Sequence, residues 1–199
     1  MKKYSLEIFT IIMIGMIIYC AVSYGHLCSI QRIVMAYMIL FTLHELEENR
    51  FPGGFAELMA KFFGLNITQD QERLSHIPVH AFLFVITMVP FFTKLPMLVL
   101  VPIYLGLFEA IIHVVGIRIH KMKKPYTPGM VTALLLGAAS VMVLIICSEK
   151  HLVQGPEYVW GVLLMFVCFA LMQRTVIAIF GLGYKDLIAN VKLKIKSKK

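Results

Sequence analysis

The chain has 199 residues, 59% hydrophobic and only 15% charged, with a net charge of +8 and a mean hydropathy of +0.82. A soluble domain of this size cannot hide so much apolar surface, because a large part of any fold stays exposed, so the composition excludes the ordinary soluble classes. The positive charge needs no nucleic acid, since anionic lipid headgroups suffice as its partner.

Apolar stretches recur near the ~20 residues needed to cross a hydrocarbon core. They predict an all-α polytopic membrane protein, a single domain over 1–199 with six spans at about 7–25, 29–47, 77–93, 95–120, 128–148 and 157–182. The first stretch is apolar for longer than a signal-peptide core and reads as a retained helix. Cys20, Cys28, Cys147 and Cys168 lie in or beside spans without metal-knuckle spacing, which suits apolar packing.

Basic residues set the orientation. Lys2 and Lys3 precede the first span, Arg118, Lys121, Lys123 and Lys124 follow the fourth, and the basic tail 185–199 follows the sixth. Six spans put all three groups on one side, so both termini are expected in the cytoplasm. The loop 49–76 falls on the same side. Its "FPGGFAELMAKFFGL" aligns Phe55, Leu58, Met59, Phe62 and Phe63 on one face, which predicts a short helix lying in the interface after a turn at Pro52, Gly53 and Gly54.

Charged and imidazole groups in a span are costly, so each is a functional candidate. The second span ends in "HELEEN", where His44, Glu47 and Glu48 at i, i+3 and i+4 share a face. Glu45 is turned ~100° away and is expected to meet water or headgroups. The third span opens with His76 and His80 at i, i+4, and the fourth carries Glu109, His113 and His120 on one stripe. All three sets fall at the cytoplasmic ends of their helices, so they are expected to form one site. Thr127 is a predicted helix N-cap with Pro128 at the first helical position, and the free amides there, with Tyr126, suit an anion. Arg174 in the last span is placed to pair with Glu109, to bind a headgroup, or to reach the interface.

A mixed imidazole and carboxylate set suits a divalent metal, zinc or iron, with manganese also compatible. His44-x-x-Glu47-Glu48 is close to the inverted zincin order. In that reading His44, Glu48, His80, Glu109 and His113 bind metal and Glu47 is the general base. His76, His120, Tyr126 and Arg174 would support the ligands or bind substrate. The plain structural alternative is a polar network that locks helices together at ~0.6–2 kcal/mol per contact.

"HELEENRFPGGF", followed downstream by "IIHVVGIRIHKMKKPYTPGMVTALLL", resembles the HXXEE-domain integral membrane proteins of bacteria. The motif falls on His44, Glu47 and Glu48. The family's proline-glycine segment is similar to Phe51-Pro52-Gly53-Gly54, and its later elements to His113 with Tyr126, Pro128, Gly129 and Thr132. The likeness runs over about residues 36–140 and implies a shared site in a bacterial cytoplasmic membrane without naming a reaction.

The residues point first to a metal-dependent membrane hydrolase acting on a lipid-like or amphipathic substrate at the cytoplasmic leaflet, with an oxidative reaction open to the same ligands. A metal-free acid/base isomerase of a sterol- or isoprenoid-like substrate is the second reading. A cation transporter or non-enzymatic membrane partner is the third, and the near absence of polar residues in the outer half of the spans counts against a pore.

Overall fold

The computed structural model describes residues 4–119, 125–183 and 185, and every regular element among them is helical. In chain order these are α1 (Ser5–Val22), a 3-10 turn (Tyr24–His26), α2 (Ser29–Asn49), α3 (Phe55–Phe63), α4 (Gln69–Thr93), α5 (Pro96–Ile119), α6 (Met130–Glu149) and α7 (Gly155–Ile179). Helices α1, α4, α5, α6 and α7 are long and apolar enough to cross a membrane. Their outward faces carry Ile11, Ile18, Phe92, Met142, Val159 and Trp160, all exposed. Apolar side chains outside as well as inside are what a helix in lipid requires.

α2 is the exception that defines the molecule. Its 21 residues match a span in length, at ~1.5 Å per residue, but Gln31, Arg32 and the acids of "HELEE" dilute its apolar character. It packs against α1, α3, α4, α5 and α6. A helix wrapped on this many sides is shielded from lipid and can carry acids that a peripheral span could not. A buried bond between Tyr37 Oη and Ser140 Oγ, at 2.7 Å, ties its middle to α6.

α5 is the second central element, against α2, α4, α6 and α7. Glycines let its backbone approach α6 closely: a Cβ added at Gly106 would stand 2.6 Å from Ser140 Oγ, and one at Gly137 2.5 Å from Ala110 Cβ. Small residues of this kind take the place of a hydrophobic driving force between spans.

Two boundaries differ from the sequence expectation in ways that matter for the site. α4 begins at Gln69 rather than near 77. Thr68 caps it by accepting from the Gln71 amide at 3.2 Å while Gln71 Oε1 accepts from the Thr68 amide at 3.0 Å. α6 begins at Met130, with Gly129 as N-cap at φ 87°, so Thr127 is not the cap and Pro128 is not in the first turn. α3 does form over the expected stretch, with Glu57 and Lys61 exposed. Its Phe55, Met59 and Phe63, however, line an internal cavity.

Candidate metal centre

The C-terminal turns of α2, the C-terminal third of α5 and the first turn of α6 meet at one place. The rings of His44 and His113 are 5.2 Å apart, edge to face. One ring nitrogen of His44, one Glu48 oxygen and one ring nitrogen of His113 all lie within 4.8 Å of one another, and all three residues are buried. Glu48 Oε1 is 3.5 Å from His44 Nε2 and 3.2 Å from His113 Nε2. Glu109 Oε2 is 3.8 Å from both imidazole nitrogens. Two ligands held at ~2.0–2.2 Å from one ion stand no more than ~4.4 Å apart, so these spacings fit a shared ion.

The far nitrogen of each imidazole is also engaged. His113 Nδ1 is 2.8 Å from Thr127 Oγ1, and His44 Nδ1 is 3.0 Å from Thr132 Oγ1. Thr132 Oγ1 is in turn 2.6 Å from Glu47 Oε2. An ionised carboxylate only accepts, so the Thr132 hydroxyl donates to Glu47 and accepts from His44 Nδ1–H. That order fixes the His44 tautomer and leaves its Nε2 lone pair facing Glu48 and Glu109. Imidazoles that bind metals are ordinarily oriented in this way through their second nitrogen. His113 Nε2 is buried and faces the Glu48 carboxylate at 3.2 Å without the alignment of a hydrogen bond. The Phe55 ring lies over His113 with centroids 5.5 Å apart.

Gly129 makes the geometry possible. Its φ of +87° belongs to the region that favours glycine, and a Cβ there would stand 2.6 Å from Glu48 Cγ, 2.9 Å from His113 Cε1 and 3.0 Å from His44 Cε1. Backbone thus fills the space beside all three donors.

The anion expected at the start of α6 is supplied by the protein itself. Glu47 Oε1 accepts from Tyr126 Oη at 2.9 Å and from the Val131 amide at 3.2 Å, and Oε2 accepts from the Thr132 amide at 2.8 Å as well as from its hydroxyl. A carboxylate on the free amides of a helix N-terminus is well placed. Both oxygens of Glu47 are occupied, so it has no oxygen left to present to a water. Contact with this carboxylate, after the effect of burial, pushes the Tyr126 phenol up to about 12.

Other sequence-stated candidates lie elsewhere. His80 Nε2 is 3.0 Å from Glu45 Oε2, Asn49 Nδ2 donates to that same oxygen at 3.1 Å, and the His80 ring stacks on Phe9 at 4.9 Å. His76 stacks on His80 with centroids 6.0 Å apart. Helix α4 therefore adds its imidazoles to Glu45, outside the group formed by His44, Glu48 and His113. Glu45, expected at water or headgroups, is 3% exposed, because α1 and α4 cover the side of α2 that a two-sided helix would leave open. Arg174 is exposed, and its neighbour Gln173 lines the cavity in its place. His120, Lys121, Lys123, Lys124 and most of the basic tail fall outside the described residues.

The centre opens on a cavity of about 400 Å³ lined from α2, α3, α4, α5 and α7, with His44, Glu45, Glu48 and Glu109 in its wall beside mainly apolar side chains. That size is within the ~300–1,000 Å³ of small-molecule sites. Sequence reasoning missed Glu45, Thr127, and the roles of Glu47 and Gly129. The one usable signal was that "HELEEN" carries three acids against a single imidazole, so the acids needed partners from other helices.

Neither a curated protein nor a solved structure gives a significant match to this chain. The sequence profile of a family described as a protein of unknown function with HXXEE motif matches residues 34–148, a segment that begins inside α2 and ends with α6 and so contains every residue that builds the centre. The chain belongs to the HXXEE family.

Proposed function

We propose that the protein is a metal-dependent integral membrane hydrolase acting on a lipid-like substrate at the cytoplasmic face of a bacterial cytoplasmic membrane. The observation that carries this reading is the buried group of His44, Glu48 and His113, whose ligand atoms lie within 4.8 Å of one another. Two imidazoles and a carboxylate are a zinc or iron donor set, and such an ion would supply a water acidic enough to ionise near neutral pH.

The chain's own residues divide the work. His44, Glu48 and His113 would hold the ion, with Thr132 and Thr127 orienting the two rings through their Nδ1 atoms. Glu109, in the cavity wall and 3.8 Å from both Nε2 atoms, takes the proton of the attacking water in place of Glu47. The hydroxide adds to the substrate carbonyl, the bond to the leaving group breaks, and Glu109 returns its proton to that group. Apolar walls hold the chain of the substrate and exclude other water. With both termini in the cytoplasm, the HxxEE end of α2 faces the inner leaflet.

Metal analysis of detergent-purified protein tests the reading. Stoichiometric zinc or iron, lost in His44→Ala and in His113→Ala, is the expected result. A protein that stays metal-free after incubation with either ion overturns it. The buried Glu45–His80 contact favours a second reading, a metal-free acid/base isomerase, which chelator-resistant turnover would support.

A further inference from the structure

The cavity wall carries an electrostatic bias that narrows the substrate beyond "lipid-like". Its described lining includes three carboxylates, Glu45, Glu48 and Glu109, and no lysine or arginine. Phosphate recognition relies on guanidinium, ammonium or free backbone amides. The one set of free amides near the centre, at the start of α6, is already taken by Glu47. A phosphate in this cavity would stand among carboxylates with no cation of the wall to offset it, and like charges at close range in a low-dielectric site repel strongly. With the ion of the proposed function bound, the charges would balance: that ion would offset Glu48 and Glu109, and Glu45 is held by His80 and Asn49. The remaining polar wall, Asn49, Ser75, His76 and Gln173, offers hydrogen bonds without a lysine or arginine. Elsewhere the wall is aromatic, with Phe82 and Phe108 both in ring contact with Phe169.

We infer that the ligand of this cavity is an amphiphile with an uncharged, hydrogen-bonding head, such as an ester, amide or alcohol, and that phosphate-headed lipids are excluded. This deepens the proposed function and rests on it for the ion that would offset Glu48 and Glu109 and for the identity of the reaction. An uncharged ester or amide head reaches Glu109 and the centre while its chain lies among the phenylalanines.

Competition binding to zinc-incubated, detergent-purified protein separates the two claims. The probes are a medium-chain monoacylglycerol, the lysophosphatidate with the same chain and the alkylamine with the same chain, read by native mass spectrometry. The monoacylglycerol is expected to bind about tenfold or more tighter than either charged probe, roughly 1.4 kcal/mol. Gln173→Lys, which adds a cation to the wall, is expected to raise lysophosphatidate binding and narrow that gap. Ala60→Trp, which fills the cavity, is expected to abolish binding of all three. If wild-type protein prefers lysophosphatidate or the amine, or if Ala60→Trp folds and binds all probes unchanged, the inference is overturned. A zinc-free protein that still prefers the monoacylglycerol over the lysophosphatidate supports the exclusion of phosphate while refuting the metal enzyme.

Discussion

Thr132 Oγ1 lies 2.6 Å from a Glu47 oxygen and at the same time 3.0 Å from His44 Nδ1. One hydroxyl therefore connects two members of the HxxEE motif that do not touch each other, and it does so from a different helix. The motif works as a relay from α6 into α2: the amides of α6 hold Glu47, Glu47 orients Thr132, and Thr132 orients His44. Loss of the hydroxyl in Thr132→Val frees the His44 ring. Zinc affinity is expected to fall by about 10–100-fold, the usual effect of removing such a supporting contact, with Thr132→Ser close to wild type. A competition titration with a chromophoric chelator measures both.

Glu47 and Glu109 are expected to differ in kind. Glu47→Gln places an amide NH2 against donors that need an acceptor, and it is expected to destabilise by ~1–3 kcal/mol. Glu109→Gln removes a charge that faces the two imidazoles at 3.8 Å but keeps the side chain's shape, and it is expected to cost less stability than Glu47→Gln while abolishing turnover of an ester substrate. Melting temperatures in detergent, set beside hydrolysis rates, separate the two. A stable, inactive Glu47→Gln protein would return the base role to Glu47.

Gly129→Ala combines a strained backbone with a clash. A left-handed non-glycine residue costs ~1–2 kcal/mol, and the new Cβ would stand 2.6 Å from Glu48 Cγ and 2.9 Å from His113 Cε1. The expected outcome is a lowered melting temperature and loss of bound metal together, read by calorimetry and elemental analysis on the same sample. Ala substituted at Gly155, which has open space around it, is the matched control.

Tyr126 gives the molecule a signature at alkaline pH. Its phenol is raised to about 12 from an ordinary 10 by burial and by the Glu47 carboxylate. A raised acid is stabilised in its protonated form by folding. The contribution is therefore fully present below pH 10 and is lost as pH rises toward about 12. The stability difference between wild type and Tyr126→Phe is expected to be constant up to pH 10 and to shrink across that window, as denaturation at a series of pH values would show.

How much of this was legible in the chain differs residue by residue. His44, Glu48 and His113 could be grouped before any coordinates, because acids and imidazoles at the same end of successive apolar spans have few places to go other than each other. Glu45 could not. Helical spacing sorts residues onto an inner and an outer face, and α2, packed against α1, α4, α5 and α6, leaves only a narrow outer strip at Leu43 near its C-terminal end. The same blindness applied to Glu47: spacing put it beside His44 and Glu48, but its role depended on which donors the start of α6 would bring.

Composition and apolar run length by themselves determined an all-helical membrane protein, since only helices satisfy their own backbone in lipid without a closed barrel. The order of polar residues determined which ends of the helices carry chemistry. Tertiary structure alone decided that the imidazoles of α4 go to Glu45 while that of α5 goes to Glu48, and that the motif's middle acid anchors α6. Helix rotation and inter-helix approach are set by close packing at residues such as Gly106, Gly129 and Gly137, and side-chain partners across helices follow from that packing, which one-dimensional periodicity does not contain.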